Sequence, residues 1–152
     1  MSVPITVKVL PLSSLPALII EGLLPVRSTN ADLTVSTSPS WSTSAGSLGT
    51  FSAGSTISGL NVQASSDSNV TITETTSVLT SNSNTPATTM NLTLSGSPAS
   101  SATYTISGTA PSPTSDQTYN FTLRATDAEG QTADRAFSIT ISVGANNSGQ
   151  FN

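Results

Sequence analysis

From Thr118 to Val143 the chain reads TYNFTLRATDAEGQTADRAFSITISV, two runs in which apolar and polar residues alternate. In the first run Tyr119, Phe121, Leu123 and Ala125 share one face, and Asn120, Thr122, Arg124 and Thr126 take the other. In the second, Phe137, Ile139, Ile141 and Val143 share a face opposite Ala136, Ser138, Thr140 and Ser142. Successive side chains of a strand point to opposite faces, so both runs predict half-buried strands. Asp127-Ala128-Glu129-Gly130 lies between them, with Gly130 available for the positive φ of a bulged hairpin loop. The pair predicts an antiparallel hairpin with one apolar face, and such a face needs a second sheet to cover it.

The same texture runs upstream, with short alternating segments set between Ser, Gly, Asn and Pro. It predicts strands at Leu33–Thr37, Thr56–Ala64, Val70–Leu79, Thr88–Ser95 and Thr103–Ser107, besides Thr118–Thr126 and Thr132–Val143. About seven strands with frequent turn signals fit an all-β, antiparallel sandwich of two sheets over residues 36–143. Residues 144–152 form a polar tail. Residues 1–35 differ. Val3, Ile5, Val7 and Val9 alternate along one face of a short run. Leu15, Leu18, Ile19 and Leu23 then fall in a dense apolar patch punctuated by Pro16, Gly22 and Pro25. That patch is too short and too broken for a good helix. Two readings stand for this segment: the first strand or two of the same domain, or an extended N-terminal arm that docks on another subunit. The arm is the reading taken, with those eight apolar residues as its partner-binding positions.

Composition narrows the function. Ser and Thr make up about a third of the chain, whereas charged residues are 8%. Usage near 25% charged is ordinary, so hydroxyls rather than ions solvate this surface. Thr and Val favour strands, and there are few strong helix formers. With 4 basic residues and a net charge of −4, the chain has no stripe for tracking phosphates, which argues against a nucleic-acid partner. Cys and His are both absent, so no disulfide framework, thiolate metal site or imidazole base is expected. No run reaches the roughly 18 apolar residues of a membrane span, and the broken apolar start does not read as a secretion leader. No cofactor is expected.

Catalysis finds little support. A Ser nucleophile needs an activating base, and the single lysine, Lys8, has no Ser-x-x-Lys ahead of it. Paired-carboxylate chemistry needs two acids flanking a pocket, whereas Asp127 and Glu129 lie in a hairpin turn and Asp67 in another. Asp127 and Glu129 are weak calcium candidates, because calcium takes six to eight oxygens and few acids are at hand. The favoured reading of Asp127 is a turn residue making an Asx-type bond beside Gly130. Arg124 and Arg135 are expected to face one another across the hairpin, near Asp127 and Asp134. Asp116-x-x-Tyr119-x-Phe121 has the spacing of a tyrosine corner, in which the Tyr hydroxyl bonds a nearby backbone group. Trp41, Tyr119, Phe121 and Phe137 are assigned structural roles. The four Asn-x-Ser/Thr triplets, at Asn69, Asn91, Asn120 and Asn146, are read as chance products of abundant hydroxyls.

Three fragments together resemble a known family. They are WSTSAGSLGTFSAGSTIS from Trp41, ISGTAP from Ile106, and YNFTLRATDAEGQTADRAFSITI from Tyr119. The family is the immunoglobulin-like β-sandwich of dystroglycan and cadherin type, as found in virion structural proteins of tailed phages. Between Ala64 and Thr105 the chain departs from the family pattern, because the usual Leu-Pro-Pro-Gly-Leu segment is missing. The resemblance implies a non-enzymatic virion component: a capsid decoration or cement protein, or a neck or tail fibre-like subunit. Its implied partners are other virion proteins, such as the major capsid or neck and tail proteins. A homo-oligomer within the assembly and a weak contact with host glycans are also expected. The alternative is a bacterial cell-surface adhesion module that binds carbohydrate or protein.

Overall fold

The computed structural model describes residues 36–82 and 86–144. The apolar positions Val3, Ile5, Val7, Val9, Leu15, Leu18, Ile19 and Leu23 lie outside the described residues, as does the tail beyond Gly144. Seven strands follow in order: β1 (Ser40–Trp41), β2 (Gly46–Ser52), β3 (Thr56–Glu74), β4 (Thr93–Gly96), β5 (Ala99–Thr109), β6 (Gln117–Thr126) and β7 (Thr132–Ser142). There is no helix among the described residues.

The architecture turns on β3. Its first part pairs antiparallel with β5, from Thr56↔Thr109 to Ser65↔Ser101, and with β1 through Trp41↔Ala64. Its last part, Thr71 to Glu74, pairs with β6. One strand therefore belongs to two layers. The first is β1-β3-β5-β4 and the second is β2-β7-β6-β3. The change of layer falls at an irregularity in the ladder. Ser65 pairs with Ser101 and Val70 with Ala99, so Ser66, Asp67, Ser68 and Asn69 stand against the single residue Ser100. Extra residues of this kind bend a strand and raise its twist, which lets it leave one sheet for the other. The chain is an immunoglobulin-like β-sandwich.

The β6–β7 hairpin is the longest regular ladder of the second layer, running from Gln117↔Ile141 to Thr126↔Thr132. Tyr119, Phe121, Leu123, Ala125, Phe137, Ile139 and Ile141 are buried. Opposite them, Ile57, Val62, Ala64, Ala102, Tyr104 and Ile106 of the first layer close the core. Phe121 and Phe137 are cross-strand partners with ring centroids 6.2 Å apart. Trp41 belongs to the first layer yet meets Phe137 of the second edge-on, with centroids 5.5 Å apart and planes at 68°. Its indole N–H donates to the Ala133 carbonyl at 3.0 Å. Aromatic edge contacts of this type are worth about 0.5–1.5 kcal/mol beyond the area buried.

Several strand expectations need correction. Thr56–Ala64 and Val70–Leu79 are not two strands but parts of one, and it ends at Glu74. Gly46–Ser52 is not among the strands expected from the sequence, yet it pairs with β7. The positive φ angles of Gly46 (106°) and Gly49 (145°) and a register shift between Ser47 and Thr50 fit the segment to β7. That pairing is parallel, so the sandwich is not wholly antiparallel. Thr88–Ser95 contributes strand only from Thr93, because Asn91 sits at φ 51° and breaks the extended run. Met90 and Leu92 stay buried and donate backbone bonds to Val78 and Leu79. Thr103–Ser107 is longer than expected, reaching Ala99–Thr109.

On the β4 edge, Gly96 stands opposite Tyr104. A Cβ on Gly96 would lie 2.6 Å from the Tyr104 ring and 2.8 Å from the Thr103 carbonyl oxygen. The ring covers the space that a side chain would need. Gly96→Ala should therefore lower the unfolding free energy by about 1–3 kcal/mol, as overpacking does. Urea denaturation of the two proteins measures this, and an unchanged midpoint would refute the close approach.

Candidate functional site

Three polar assemblies are built on this frame. The first lies at the end of β3. The Glu74 carboxylate gathers the loop that follows it. Its Oε1 accepts from Val78 N–H at 2.6 Å, Leu79 N–H at 2.8 Å and Thr76 Oγ1 at 2.8 Å. Its Oε2 accepts from Thr80 N–H at 2.9 Å and from Thr80 Oγ1 at 2.8 Å. Partial burial pushes the Glu74 carboxyl up, but the backbone donors of Leu79, Thr80 and Val78 and the Thr76 hydroxyl outweigh it. The net direction is below the ordinary value. This loop places Leu79 in the core and supplies the carbonyls that Met90 and Leu92 bond. It is scaffold rather than a site.

The second assembly involves charges on the hairpin. Arg124 and Arg135 do not face each other. Arg124 stands opposite Asp134 and Arg135 opposite Leu123. Arg124 Nε and Nη2 each donate to an Asp134 carboxylate oxygen at 2.7 Å, an ion pair on an exposed face. Solvent screening at such an exposed site leaves the pair a minor contributor to stability. The hydrogen bond to Asp134 raises the Arg124 pKa, and the same bond from Arg124 lowers that of Asp134. Arg135 lies on the inward-facing side of β7, at the margin of the core, and its Nη1 donates to the Thr43 carbonyl at 2.6 Å. Thr43 in turn accepts Gln63 N–H at 2.7 Å through its hydroxyl. Arg135 thus ties β7 to the β1–β2 connection. The sequence signal was available: Arg135 is two residues before Phe137 and shares its face.

Tyr119 makes a different bond from the local one its spacing suggested. Its hydroxyl donates to the Pro86 carbonyl, in the loop between β3 and β4. Burial raises its pKa. Asp116 accepts Val143 N–H at 2.7 Å instead. Tyr119, Phe121 and Phe137 are each 2% exposed and Trp41 is 8% exposed, so no ring among these four offers a stacking platform. A shallow open depression beside β6 and β7 is lined by Thr76, Asn120, Phe121, Phe137 and Ser138, with no ionisable side chain on its wall.

The third assembly lies where β3 changes layer. There the irregular stretch 66–69 meets the β6–β7 turn and the chain entering β1. The turn forms as its sequence suggests: Gly130 takes φ 85°, Gly130 N–H donates to Asp127 O at 3.1 Å, and Asp127 Oδ1 accepts Gln131 N–H at 2.7 Å. Ser68 Oγ donates to the Glu129 carboxylate and accepts Ala128 N–H at 3.2 Å. Asp67 accepts Thr37 N–H at 3.2 Å and Ser66 Oγ at 3.0 Å. The Ser66 hydroxyl holds the Asp67 carboxyl below its ordinary value despite some desolvation. Gln131 bonds Ser36 and Ser38, each at 2.8 Å, and pins the entering chain beside the turn. One carboxylate oxygen from each of Asp67, Asp127 and Glu129 comes within 4.8 Å of the others. The sequence placed Asp67 in a separate turn. Its neighbourhood to Asp127 follows from the Thr71↔Thr126 pairing, which no local pattern reveals.

Comparison with known proteins adds a fold-level likeness only. No family model matches the chain, and no curated protein matches it. Among solved structures the chain is similar to the BIgI domain of beta protein from S. agalactiae bound to CEACAM1. The identity is 19% and the TM-score 0.45, over 69% of this chain and 97% of that one. Among the described residues no helix is long and apolar enough to cross a membrane.

The Glu74 assembly gives a pH prediction. A carboxylate whose folded pKa is depressed stabilises the fold fully above its unfolded pKa and loses that contribution as pH falls through the folded value. Glu74→Gln puts an amide NH₂ against donors and should cost about 1–2 kcal/mol near neutral pH. The gap between wild type and variant should shrink as pH drops below the ordinary Glu value of 4.5. Denaturation midpoints at pH 7, 5, 4 and 3 measure it, and a gap independent of pH would contradict the charged cage.

Proposed function

We propose that this chain is a non-enzymatic structural and binding module of a tailed-phage virion. In this reading it is a capsid decoration or cement protein, or a neck or tail fibre-like subunit. Residues 1–35 anchor it to other virion proteins, and the sandwich projects from the particle. What supports this reading is the apolar patterning of residues 1–35, set against the hydroxyl-rich sequence that follows. In it the apolar positions Val3, Ile5, Val7, Val9, Leu15, Leu18, Ile19 and Leu23 are the ones offered to a partner. An immunoglobulin-like sandwich displays loops and strand edges and serves adhesive and structural roles on many proteins. The polar, weakly charged face of this one suits exposure on a particle. The phage setting rests on the three sequence fragments that resemble virion proteins.

Deleting residues 1–30 tests the anchoring role. The truncated protein should keep a cooperative thermal transition and lose its place in purified particles, measured by quantitative mass spectrometry of banded virions. Normal incorporation of the truncated chain would overturn the anchoring role. Recovery of the full chain from a bacterial envelope fraction instead of particles would overturn the virion setting and favour the surface-adhesion alternative.

A further inference from the structure

We propose that Ser38 and Gln131 form an intramolecular ester, a covalent bond that the chain makes by itself and that joins the segment entering β1 to the head of β7. The reacting groups are assembled in the fold. Ser38 Oγ donates to Gln131 Oε1 at 2.8 Å, which sets the hydroxyl oxygen beside the amide carbon it would attack. Gln131 Nε2, the group that would leave, donates to Ser36 Oγ at 2.8 Å. The backbone of Gln131 is fixed as well: its N–H donates to Asp127 Oδ1 at 2.7 Å, and its carbonyl accepts Asp127 N–H at 3.0 Å. On the other side, Pro39 is buried directly after Ser38, and Asp67 accepts the Thr37 N–H at 3.2 Å. Holding both reactants in place converts a slow encounter between alcohol and amide into an intramolecular step.

A Ser hydroxyl needs a base, and this corner holds a carboxylate with a free oxygen. Asp127 is 5% exposed, its Oδ1 is engaged by the Gln131 N–H, and its Oδ2 is buried without a hydrogen-bond partner. A buried carboxylate oxygen without a donor is costly, and native structures rarely leave one so unless it has a chemical task. Both Asp67 oxygens are engaged, by Thr37 N–H and the Ser66 hydroxyl, and Glu129 Oε2 accepts from Ser68. In the reaction Asp127 Oδ2 takes the Ser38 proton as Oγ bonds to the Gln131 carbonyl carbon. The tetrahedral adduct collapses by breaking the C–N bond, the proton passes to the departing nitrogen beside Ser36, and ammonia leaves. One C–O bond forms and one C–N bond breaks, with no change of oxidation state and no co-reactant. The event occurs once per molecule, so the chain remains a non-enzymatic module. The ester joins residues 93 apart in sequence and fastens the entry to the first strand to the start of the last.

The inference is independent of what residues 1–35 bind. Its test is mass spectrometry of the full chain, intact and after trypsin. Cleavage after Arg27, Arg124 and Arg135 places Ser38 in the 28–124 peptide and Gln131 in the 125–135 peptide. Wild type should weigh about 17 Da less than its sequence, the mass of one ammonia, and the two peptides should stay joined until hydroxylamine separates them. A cyclised asparagine loses the same mass but leaves the peptides separate, and that result would overturn the proposal. Ser38→Ala should keep its full mass and melt about 10 °C lower, because a long loop is no longer closed, a drop too large for one exposed hydrogen bond. Asp127→Asn keeps an acceptor for the Gln131 N–H and should fold without forming the link. Linkage at the wild-type rate in that variant would overturn the proton transfer to Asp127, and Ser38→Ala still decides the matter if Asp127→Asn does not fold. Wild type at its full sequence mass after days at neutral pH would overturn the ester. So would a link that persists in Ser38→Ala.

Discussion

The structure depends on one strand having to serve two sheets. β3 runs for 19 residues and pairs with β1 and β5 along its first part and with β6 along its last. A continuous strand transmits the register of one layer directly to the other, so the two inner faces are not free to slide. The cost of the arrangement is paid at Ser66–Asn69, where the ladder breaks. Backbone groups and side chains there must find partners outside regular pairing. They find them in the β6–β7 turn and in the chain entering β1, which is why the polar contacts of the molecule concentrate at that corner.

A second consequence concerns how a chain with so few charges holds its loops. Each described carboxylate that is engaged does a local task. Glu74 folds the loop after β3, Asp116 accepts the backbone beyond β7, Asp134 pairs with Arg124, and Asp127 shapes the hairpin turn. Charge-assisted bonds to backbone N–H groups are stronger than neutral ones, so a few acids suffice where hydroxyls supply the rest of the surface. Arg135 and Trp41 act similarly across the layers. Each uses one donor to reach a carbonyl on a neighbouring element, Thr43 and Ala133, while the body of the side chain covers the core margin.

The parts of this fold that could be read in the sequence are those whose pairing is local. Tyr119, Phe121, Leu123 and Ala125 alternate inward opposite Phe137, Ile139 and Ile141, and the turn between them carries its own signals in Asp127 and Gly130. Pairings between distant segments left weaker marks. Nothing local separates a strand that ends at Ala64 from one that continues through Asn69 to Glu74, because Ser-Ser-Asp-Ser-Asn reads as a turn whether or not the chain reverses there. Val78 and Leu79 extend the alternation of β3 on paper. In space the Glu74 carboxylate collects the backbone N–H groups beyond it and ends the strand first. The glycines of β2 hid a strand for the opposite reason, since their positive φ angles look like turn chemistry until β7 is beside them.

The acidic corner shows the same limit at the level of a single side chain. Read locally, Asp127 is a turn residue, and its Oδ1 does bond Gln131 N–H as an Asx-type turn requires. That reading accounts for one carboxylate oxygen and is silent about the other. Residues about 60 and 90 positions away meet the turn here: Ser68 accepts Ala128 N–H, and Gln131 bonds Ser36 and Ser38 of the entering chain, once Thr71 pairs with Thr126. A turn needs one acceptor and would be served as well by an exposed Asn. An acid kept 5% exposed, with an oxygen facing no donor and two further carboxylates beside it, is more than turn formation requires.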